Sequence, residues 1–389
     1  MHQSRRSLLF GMILAGCASV ANGASLTRKG PAEPMWITFE TGRSQFIRLQ
    51  VAINGQAATA LLDTGATRSV LDLAMAKRMG VVGRPGYSAR GMTSNVEGSI
   101  AVGLKVEVGQ LELPSIDSAI LDLSALANIA GHDVDLVLGQ ELFEAGIVEI
   151  DFPAKRLRIW PSNSSTVSFG TSVSLLRSGE RLCTMPIILS GREPVQAAID
   201  LGSNIPLYVS PVYAAQNRLL HGLRSSTSAS AGAEGISLSD VATLQSLKFA
   251  GVSLKNVPVQ VPRNWNFANS AIVGLPVLNR FSIILDIAGM RAWFKASPDV
   301  LAEPLPKDRS GLGTRLAGDR LVVIHVGSGS PAQDAGIQPG DEIVLVDGVA
   351  VTENWMRTTP RIGQRAEGTK IMVGLADGRT LALVLKDYF

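Results

Sequence analysis

Two short segments of the chain contain the residues best suited to catalysis, and each begins with an acid. They read Asp63-Thr64-Gly65-Ala66 and Asp200-Leu201-Gly202-Ser203, and each follows an apolar strand pattern. A glycine after the acid lets the chain turn sharply and leaves a carboxylate at the end of a buried strand. Two such carboxylates brought together share one proton, so one acts as a general base on water while the other donates a hydrogen bond to a substrate carbonyl. This chemistry cleaves amides, and Asp63 and Asp200 are the predicted catalytic pair.

The elements that carry these turns occur twice in the chain. Downstream of each acid come two apolar residues and a glycine: Gly139 lies 76 residues after Asp63, and Gly274 lies 74 residues after Asp200. The matching order and spacing predict two copies of one mainly β unit of about 130 residues. A single acid before a glycine is commonly a turn residue that binds local amides, and that alternative stays open for either turn taken alone.

Changes in composition mark the boundaries between units. Ser, Thr and Asn crowd together near residues 161–175, and Ser297–Ser310 contains three prolines and several charges. Such segments are typical of linkers. The predicted organisation is a leader at 1–24, a first lobe at 35–165, a second lobe at 175–296 and a smaller unit at 309–389.

The two lobes resemble the pepsin and retropepsin superfamily of aspartic proteases. The segment from Asp63 to Thr67 matches the family's Asp-Thr-Gly-Ala/Ser signature, and the two apolar-apolar-Gly elements match its second landmark. The resemblance implies a mainly β, bilobal acid-protease fold with two pseudo-twofold related six-stranded-type lobes and psi-shaped loops at Gly139 and Gly274. An extended polypeptide would be cleaved between the lobes, with neither a cofactor nor a metal. Supporting roles in the catalytic loops are implied for Thr64, Gly65, Ala66, Leu201, Gly202 and Ser203.

Two further expectations follow from this resemblance. Because one chain carries both acids, it is expected to be active as a monomer. A flap hairpin over the cleft is expected within Tyr87–Val102. Its counterpart in the second lobe, Ser225–Gly235, is rich in Ser, Ala and Gly and is expected to be mobile.

Leu201 departs from the family pattern, which has Thr or Ser at this position. In the family that hydroxyl reaches the opposite turn, so Leu201 removes one half of a symmetric pair of hydrogen bonds. A buried backbone group left unpaired costs about 1–3 kcal/mol. The departure keeps a second interpretation open, in which the chain is a catalytically weak or inactive protein that binds peptides or acts as a scaffold.

The C-terminal unit resembles a bacterial PDZ domain. Ser-Pro-Ala at 330–332, Ala-Gly at 335–336, Gly-Asp at 340–341 and Asp-Gly at 347–348 follow in the family's order. PDZ domains bind an extended peptide by adding it as a strand. The resemblance implies that a peptide or protein C-terminus binds here, with its carboxylate held by the loop Gly311-Leu312-Gly313. The alternative is that the unit only docks against the lobes.

The N-terminus is predicted to be an export signal. Arg5 and Arg6 precede an apolar run at Leu8–Gly16, which is too short to span a bilayer but suits a signal peptide. The segment from Leu14 to Cys17 resembles the lipobox of bacterial lipoproteins, which implies lipid attachment at Cys17 and association with a membrane. Cleavage after residue 23 or 24 with release into the periplasm is the alternative. Both routes predict an exported protein, either periplasmic or an outer-membrane lipoprotein.

Composition narrows the remaining classes of function. The 389-residue chain is 46% hydrophobic and 18% charged and has a net charge of +3, so it is not predicted to be disordered or to bind nucleic acid. Its two cysteines are too few for a disulfide scaffold or a structural zinc site. The four histidines lie far apart without a His-Glu-x-x-His pattern, so no metal is predicted.

Overall fold

The described part of the chain folds into four β-sheets with short helices between their strands. The computed structural model describes residues 15–16, 27–28, 34–42, 44–91, 95–162, 164, 169–179, 181–232 and 235–389. Most of the predicted leader, including Cys17, lies outside these residues. The prediction of a mainly β fold, with acid-protease lobes and a PDZ domain, is confirmed.

The elements of the first lobe and of the segment before it are as follows. The strands are β1 (Ala15–Gly16), β2 (Thr27–Arg28), β3 (Ile37–Thr38), β4 (Glu40–Thr41), β5 (Ile47–Ile53), β6 (Gln56–Leu62), β7 (Val70–Asp72), β8 (Arg84–Arg90), β9 (Asn95–Val108), β10 (Leu111–Leu121), β11 (Leu136–Leu138), β12 (Gly146–Asp151) and β13 (Arg156–Pro161). The helices are α1 (Leu73–Arg78), α2 (Ser124–Ala130) and α3 (Gln140–Ala145).

The second lobe and the C-terminal module continue the chain. The strands of the second lobe are β14 (Thr171–Ser174), β15 (Leu176–Arg177), β16 (Cys183–Leu189), β17 (Val195–Asp200), β18 (Leu207–Val209), β19 (Ser225–Gly232), β20 (Gly235–Phe249), β21 (Val252–Pro262), β22 (Ala271–Gly274), β23 (Phe281–Asp286) and β24 (Arg291–Ala296). Its helices are α4 (Pro211–Gln216) and α5 (Leu275–Leu278), and α6 (Pro298–Leu301) follows the lobe. The module contains β25 (Leu312–Ala317), β26 (Arg320–Val326), α7 (Pro331–Asp334), β27 (Glu342–Val346), β28 (Val349–Ala350), α8 (Trp355–Thr358), a 3-10 turn (Ile362–Gln364), β29 (Lys370–Leu375) and β30 (Thr380–Val384).

Alternating apolar residues build the hairpin that leads to the first acidic turn. Every second side chain of β5, from Ile47 to Ile53, points into the core. Asn54 and Gly55 both have positive φ, which is what a tight turn between right-twisted strands requires. β6 then runs back antiparallel to β5 and ends immediately before Asp63.

Both lobes place the acid-bearing strand beside a second buried strand in parallel. In the first lobe β11 lies between β6, to which it is parallel, and β7, to which it is antiparallel. In the second lobe β22 lies in the same way between β17 and β18. Strands covered on both faces are apolar throughout, as Leu136–Leu138 and Ala271–Gly274 are. The repeat seen in the sequence therefore corresponds to a repeated strand arrangement.

A third sheet joins the two lobes. Its strand order is β14-β24-β23-β12-β13-β3, and its centre is the antiparallel pair formed by β12 of the first lobe and β23 of the second. Val148 pairs with Leu285 and Ile150 with Ile283, and all four side chains are buried. The closing strands of the two repeats thus meet in one continuous sheet, which fixes the lobes against each other.

The C-terminal module forms its own sheet and core, with strand order β25-β26-β27-β29-β30. It packs against the β19–β20 hairpin of the second lobe: Thr227 Oγ1 lies 2.9 Å from His325 Nε2, and Ser226 Oγ donates to the carbonyl of Ser328 at 2.8 Å. No helix in the part of the chain that the structure describes is long and apolar enough to span a bilayer.

Candidate active site

The two predicted catalytic acids lie at equivalent ends of equivalent strands. Asp63 follows β6, and its backbone amide donates to the carbonyl of Leu138 in the neighbouring parallel strand at 3.0 Å. Asp200 ends β17, in parallel register with Gly274 of β22. Their exposed fractions are 2% and 0%. The fold therefore brings two buried carboxyl groups to the region between the lobes.

Each acidic turn packs its glycine against the acid of the other turn. A Cβ built on Gly202 would lie 2.3 Å from Cγ of Asp63, and one built on Gly65 would lie 2.8 Å from Oδ1 of Asp200. Real Cβ atoms do not approach other atoms that closely, so only glycine fits at either position. This reciprocal contact shows that the turns meet face to face.

The two carboxyl groups interact closely enough to shift each other's pKa: the interaction lowers the pKa of Asp63 and raises that of Asp200. Oδ2 of Asp200 is buried and has no hydrogen-bond partner among the described residues, whereas Oδ1 accepts from the amide of Gly202 at 2.8 Å. Oδ1 of Asp63 accepts in the same way from the amide of Gly65 at 2.7 Å. A carboxylate oxygen only accepts, so a single proton between the acids is the arrangement that pairs every buried oxygen.

The environment separates the proton affinities of the two acids. Burial raises the pKa of Asp63 to about 6, and hydrogen bonds from Asp200 and from the amide of Gly65 oppose that rise. Burial, and then the negative charge of Asp63, hold the pKa of Asp200 well above its ordinary range. Asp63 is consequently the acid that ionises first, and Asp200 keeps the shared proton.

Thr64 connects the two turns through its hydroxyl group. Its Oγ1 donates to the carbonyl of Ile199 at 2.7 Å and accepts from the amide of Leu201 at 3.0 Å. The second lobe offers no equivalent hydroxyl because Leu201 stands at that place, with its side chain fully buried. The bridge between the turns is therefore built from one side only.

The two predicted psi-loop glycines lie directly behind the acidic turns. Gly139 contacts the first turn so closely that an added Cβ would lie 2.5 Å from the carbonyl oxygen of Ala66, and the same oxygen accepts from the amide of Gln140. At Gly274 an added Cβ would lie 2.9 Å from the carbonyl oxygen of Ser203, which accepts from the amide of Leu275 at 2.8 Å. Both loops support the turn from behind through backbone contacts.

Sequence analysis missed a buried acid that ties the first psi loop to the first turn. Glu141 accepts from the amide and the hydroxyl of Ser69, and the Ser69 hydroxyl accepts from the amide of Gly139 at 3.0 Å. Burial raises the pKa of Glu141, which these hydrogen bonds oppose. In the aligned second repeat the corresponding residues are Pro206 and Pro276. That difference between the repeats is the signal that could have identified the pair.

The expected flap is a hairpin of β8 and β9. Arg90 pairs with Asn95 at the end of the ladder, and residues 92–94 between the strands lie outside the described residues. The side-chain amide of Asn266, in the second lobe, donates to the carbonyl of Gly91 and to Oδ1 of Asn95, both at 3.3 Å. The hairpin therefore reaches across from the first lobe to the second. The ring of Tyr87 lies 5.9 Å from the guanidinium carbon of Arg68, just beyond the first turn.

The counterpart in the second lobe differs from the expectation of mobility. Ser225–Gly232 is strand β19, which pairs with β20 from Ser225 to Gly232. Its composition alone favours a flexible segment, but pairing on one side and contact with the C-terminal module on the other give it a defined position. Tertiary contacts override the local preference here.

The predicted carboxylate loop of the module already holds a carboxylate of its own chain. Asp308 accepts from the amide of Gly311 at 2.6 Å and from the Ser310 hydroxyl at 2.7 Å, and the amide of Leu312 donates to the same hydroxyl at 3.1 Å. Gly311 itself needs to be glycine, because its φ is +74° and an added Cβ would lie 2.1 Å from the Ser330 side chain. Peptide binding by Gly311, Leu312 and Gly313 stays a prediction.

The arrangement brings together two buried carboxyl groups whose pKa values are both raised, where two β lobes of repeated topology meet. Such a pair activates water and protonates a carbonyl without a covalent intermediate. Within the described ranges, no group of three or more His, Cys, Asp or Glu side chains is placed to hold a metal ion.

Comparison with known proteins assigns families to two segments of the chain. Residues 49–142 match the family model of aspartyl proteases, and residues 304–374 match that of PDZ domains. The chain therefore carries an aspartyl-protease segment of the retropepsin-like kind, which includes the first acidic turn, and a PDZ domain. These matches support a peptidase and binding of peptides or proteins.

Two individual proteins show more limited similarity. Tight junction protein ZO-3 from Mus musculus is 38% identical over 91 residues, which cover 23% of this chain and 9% of that protein. The chain thus matches only a small part of that protein's length. The crystal structure of a retropepsin-like aspartic protease from Rickettsia conorii has 16% identity and a TM-score of 0.25, and the match covers 34% of this chain and 97% of that one.

Proposed function

We propose that the protein is an aspartic endopeptidase that uses Asp63 and Asp200 to hydrolyse peptide bonds of extended polypeptides. The observation that carries this proposal is the reciprocal packing of Gly202 on Asp63 and of Gly65 on Asp200. Two carboxyl groups buried side by side cannot both ionise without a large free-energy cost, so this arrangement is not expected of two unrelated turn acids. The buried and unpartnered Oδ2 of Asp200 supports the same assignment, because a proton shared with Asp63 would give it a partner.

The difference in acidity assigns a role to each acid. Asp63, as carboxylate, removes a proton from water while the resulting hydroxide adds to the carbonyl carbon, and Asp200 gives its proton to the carbonyl oxygen. In the tetrahedral intermediate the carbon–nitrogen bond then breaks as the nitrogen takes the proton from Asp63. Asp200 recovers a proton from the hydroxyl group as the new carboxyl group forms. Both acids return to their starting states, so the cycle needs no cofactor.

The substrate class follows from the shape of the region around the acids. The β8–β9 hairpin reaches from the first lobe to Asn266 of the second. A chain beneath such a hairpin binds in extended form, because neighbouring strand edges offer it backbone hydrogen bonds. The export signal predicted in the sequence supports action in the cell envelope, either in the periplasm or from a lipid anchor at Cys17.

Cleavage of a denatured polypeptide by the purified protein tests the proposal. The protein and the double variant Asp63→Asn/Asp200→Asn are incubated with the substrate across the pH range, with and without a pepstatin-type inhibitor. We expect cleavage by the natural protein only, with sensitivity to the inhibitor. If the two proteins behave alike at every pH, the endopeptidase assignment is wrong and the chain acts as a peptide-binding or scaffold protein.

Specific activity over a dilution series tests the monomeric form. Both acids come from one chain, and the sheet that joins the lobes is also intramolecular. We therefore expect activity per molecule to stay constant on dilution. A steep loss would show that a second copy completes the site.

A further inference from the structure

The sheet that joins the two lobes has one buried face and one outer face. Directly opposite residues of an antiparallel sheet point to the same side, and successive residues alternate between the sides. Val148 and Leu285 point into the main apolar core, which also contains residues of the acid-bearing strands β6 and β17. The alternate residues, which include Trp160 and Trp293, form the outer face. This face is therefore turned away from the core that carries the catalytic strands.

Three of the five tryptophans of the chain meet on the outer face, and all three are half-buried. Trp160 and Trp293 cover two buried isoleucines of β12 and β23, together with Phe169 from the segment between the lobes. Trp36 comes directly before β3 at the edge of the same sheet. In the described chain, no other sheet or helix contributes apolar residues to this cluster. The rings thus form the surface layer on this side of the molecule.

Arginine side chains stack on these rings. The guanidinium carbons of Arg156 and Arg158 lie 4.2 and 4.3 Å from the ring centroid of Trp36, and that of Arg158 also lies 4.6 Å from the ring of Trp160. The ring of Trp293 has a guanidinium carbon at 5.3 Å. Cation–π contacts of this kind hold aromatic and basic groups side by side at the surface.

The acids of the outer face lie beneath its arginines. The ion pairs are Arg158–Glu149, Arg291–Asp286 and Arg156–Asp151, at 2.7, 3.3 and 3.1 Å. In every pair the arginine is the more exposed partner, most clearly where the side chain of Arg291 is 59% exposed and that of Asp286 is 5% exposed. The pairs cancel in charge, but they present guanidinium groups to the exterior and keep the carboxylates below.

Two lysines add charge that these acids do not neutralise. Lys295 follows Trp293 by two residues on β24 and so points to the same side, and Lys155 lies in the turn between β12 and β13. Both are exposed, and neither forms an ion pair with any residue that the structure describes. The outer face therefore combines aromatic rings with a small excess of positive charge.

The segment that carries the predicted lipid anchor enters the described structure beside this face. Its strand β2 pairs with the start of β10, where Gln110 donates to Sδ of Met35, the exposed residue before Trp36. Ten residues separate Cys17 from Thr27, and an extended chain spans about 3.5 Å per residue, so an acyl group on Cys17 would lie within about 35 Å of β2. Cleavage before Cys17 would remove β1 and its pairing with β8. A single acyl chain binds membranes only marginally, so stable attachment calls for a second contact.

We propose that the outer face lies on the surface of a phospholipid bilayer that contains anionic lipid, with Trp160 and Trp293 among the headgroups and Lys155 and Lys295 near the phosphates. Tryptophan is enriched at membrane–water interfaces because its ring is apolar and its N–H is polar. The indole N–H of Trp160 donates to Glu149, whereas that of Trp293 donates to no described residue and is available to a headgroup oxygen. In this orientation the lobes extend away from the bilayer. The inference goes beyond the proposed hydrolysis and does not depend on it.

Quenching of tryptophan fluorescence by brominated lipid tests the orientation. The full chain carries Cys17→Ala in every arm, so no acyl chain is attached and the leader is the same throughout. The vesicles contain three parts of brominated phosphatidylcholine to one part of phosphatidylglycerol. We expect Trp293→Phe to lower the quenched fraction and Trp265→Phe, which removes a ring from a separate cluster of the second lobe, to raise it. Absence of quenching, or the same quenched fraction in both variants, overturns the proposal.

Matched pairs of lysine variants test the contribution of charge. Lys155→Gln/Lys295→Gln is expected to weaken co-sedimentation with the anionic vesicles by at least about 10-fold and to leave binding to pure phosphatidylcholine unchanged. Lys248→Gln/Lys255→Gln removes the same charge from exposed positions on β20 and β21 and is expected to change the affinity less than about 2-fold. Equal losses in the two double variants would assign the effect to net charge and overturn the role of this face.

A second copy of the chain is the other occupant that the experiments separate. A stable dimer in the absence of vesicles, dissociated by Trp293→Asp in a variant whose thermal melting curve shows that it is folded, would assign the outer face to the partner copy and overturn the bilayer assignment. No assay with vesicles contains a substrate. Failure of cleavage by the natural protein therefore leaves the membrane assignment standing, and failure of vesicle binding leaves the endopeptidase standing.

Discussion

Thr64 supplies the side-chain hydroxyl that bridges the two catalytic turns, and its partner Leu201 supplies only a backbone amide. The amide of Leu201 donates to Oγ1 of Thr64 at 3.0 Å, and the same hydroxyl donates to Ile199 at 2.7 Å. The mirrored bond from the second turn to the first is missing, because the leucine side chain packs into the core instead. Two lobes that are equivalent in topology are therefore unequal where they meet.

Removal of the Thr64 hydroxyl should be costly. Thr64→Val keeps the shape of the side chain but leaves the amide of Leu201 and the carbonyl of Ile199 buried without partners. Each unpaired group costs about 1–3 kcal/mol, so we expect a loss of about 2–6 kcal/mol in the free energy of unfolding and a large loss of activity. Denaturant titration measures the first and peptide hydrolysis the second. Thr64→Ser retains the hydroxyl and serves as control, and equal effects of the two variants would contradict the role of the bridge.

Restoring a hydroxyl at position 201 should not stabilise the protein. The side chain of Leu201 is fully buried, and shortening it costs about 2–3 kcal/mol, whereas a new hydrogen bond contributes about 1 kcal/mol. The matched control is Leu201→Val, which removes a similar volume without adding a hydroxyl. The amide of Thr64 donates to no acceptor in the described structure, so it is available to a hydroxyl at position 201. We expect Leu201→Thr to be destabilised, but by less than Leu201→Val; the reverse order in denaturant titration would show that the second bridge does not form.

The local part of the site was predictable from sequence because its signals are short and repeated. An apolar strand, an acid and a glycine specify a buried carboxylate at a turn without reference to the rest of the chain. The repeat then predicted that two such turns meet. Gly202 must also be a glycine because it contacts Asp63 of the opposite lobe. This second reason is visible only in the structure.

The features that could not be predicted depend on contacts between distant residues. Asp308 accepts a hydrogen bond from the amide of Gly311 because the chain folds back at this loop. The loop motif alone predicts a site for a peptide carboxylate and gives no sign that Asp308 occupies it. Ser69 and Glu141 lie 72 residues apart, and neither belongs to a recognisable motif. The composition of Ser225–Gly235 favours flexibility, but packing against the module decides its structure.

A methyl group at position 202 should greatly reduce catalysis. In Gly202→Ala the new Cβ would lie 2.3 Å from Cγ of Asp63, so the acid has to move. A displacement of about 1 Å in a catalytic group costs about 100-fold in rate, and we expect at least that loss in kcat/KM. The control is Gly179→Ala, whose Cβ would meet its nearest neighbour at 3.8 Å. Full activity of Gly202→Ala would mean that the acids are not held by the opposing turn.

The pH dependence of kcat/KM should show an acid limb near pH 6. Hydrolysis requires Asp63 ionised and Asp200 protonated, and burial raises the pKa of Asp63 to about 6. Activity is therefore expected to rise as the pH increases through 6 and to fall only where Asp200 ionises, since its pKa is held well above the ordinary range. Initial rates on a substrate without titratable side chains measure this profile. Maximal activity at pH 3 would contradict the assigned environment of the pair.

Burial of Asp63 also lowers the free energy of unfolding at high pH. A carboxyl group whose pKa is raised in the folded state favours folding while it is protonated, and this contribution disappears as the pH rises from the unfolded value of 3.8 through about 6. Asp63→Asn removes the charge and keeps the shape, so its free energy of unfolding should equal that of the natural protein near pH 3. Above pH 6 it should exceed that of the natural protein by about 2–3 kcal/mol. Urea titrations at both pH values measure the difference. If the difference does not depend on pH, Asp63 ionises as readily in the folded chain as in the unfolded one. That result would contradict the effect of burial on its pKa.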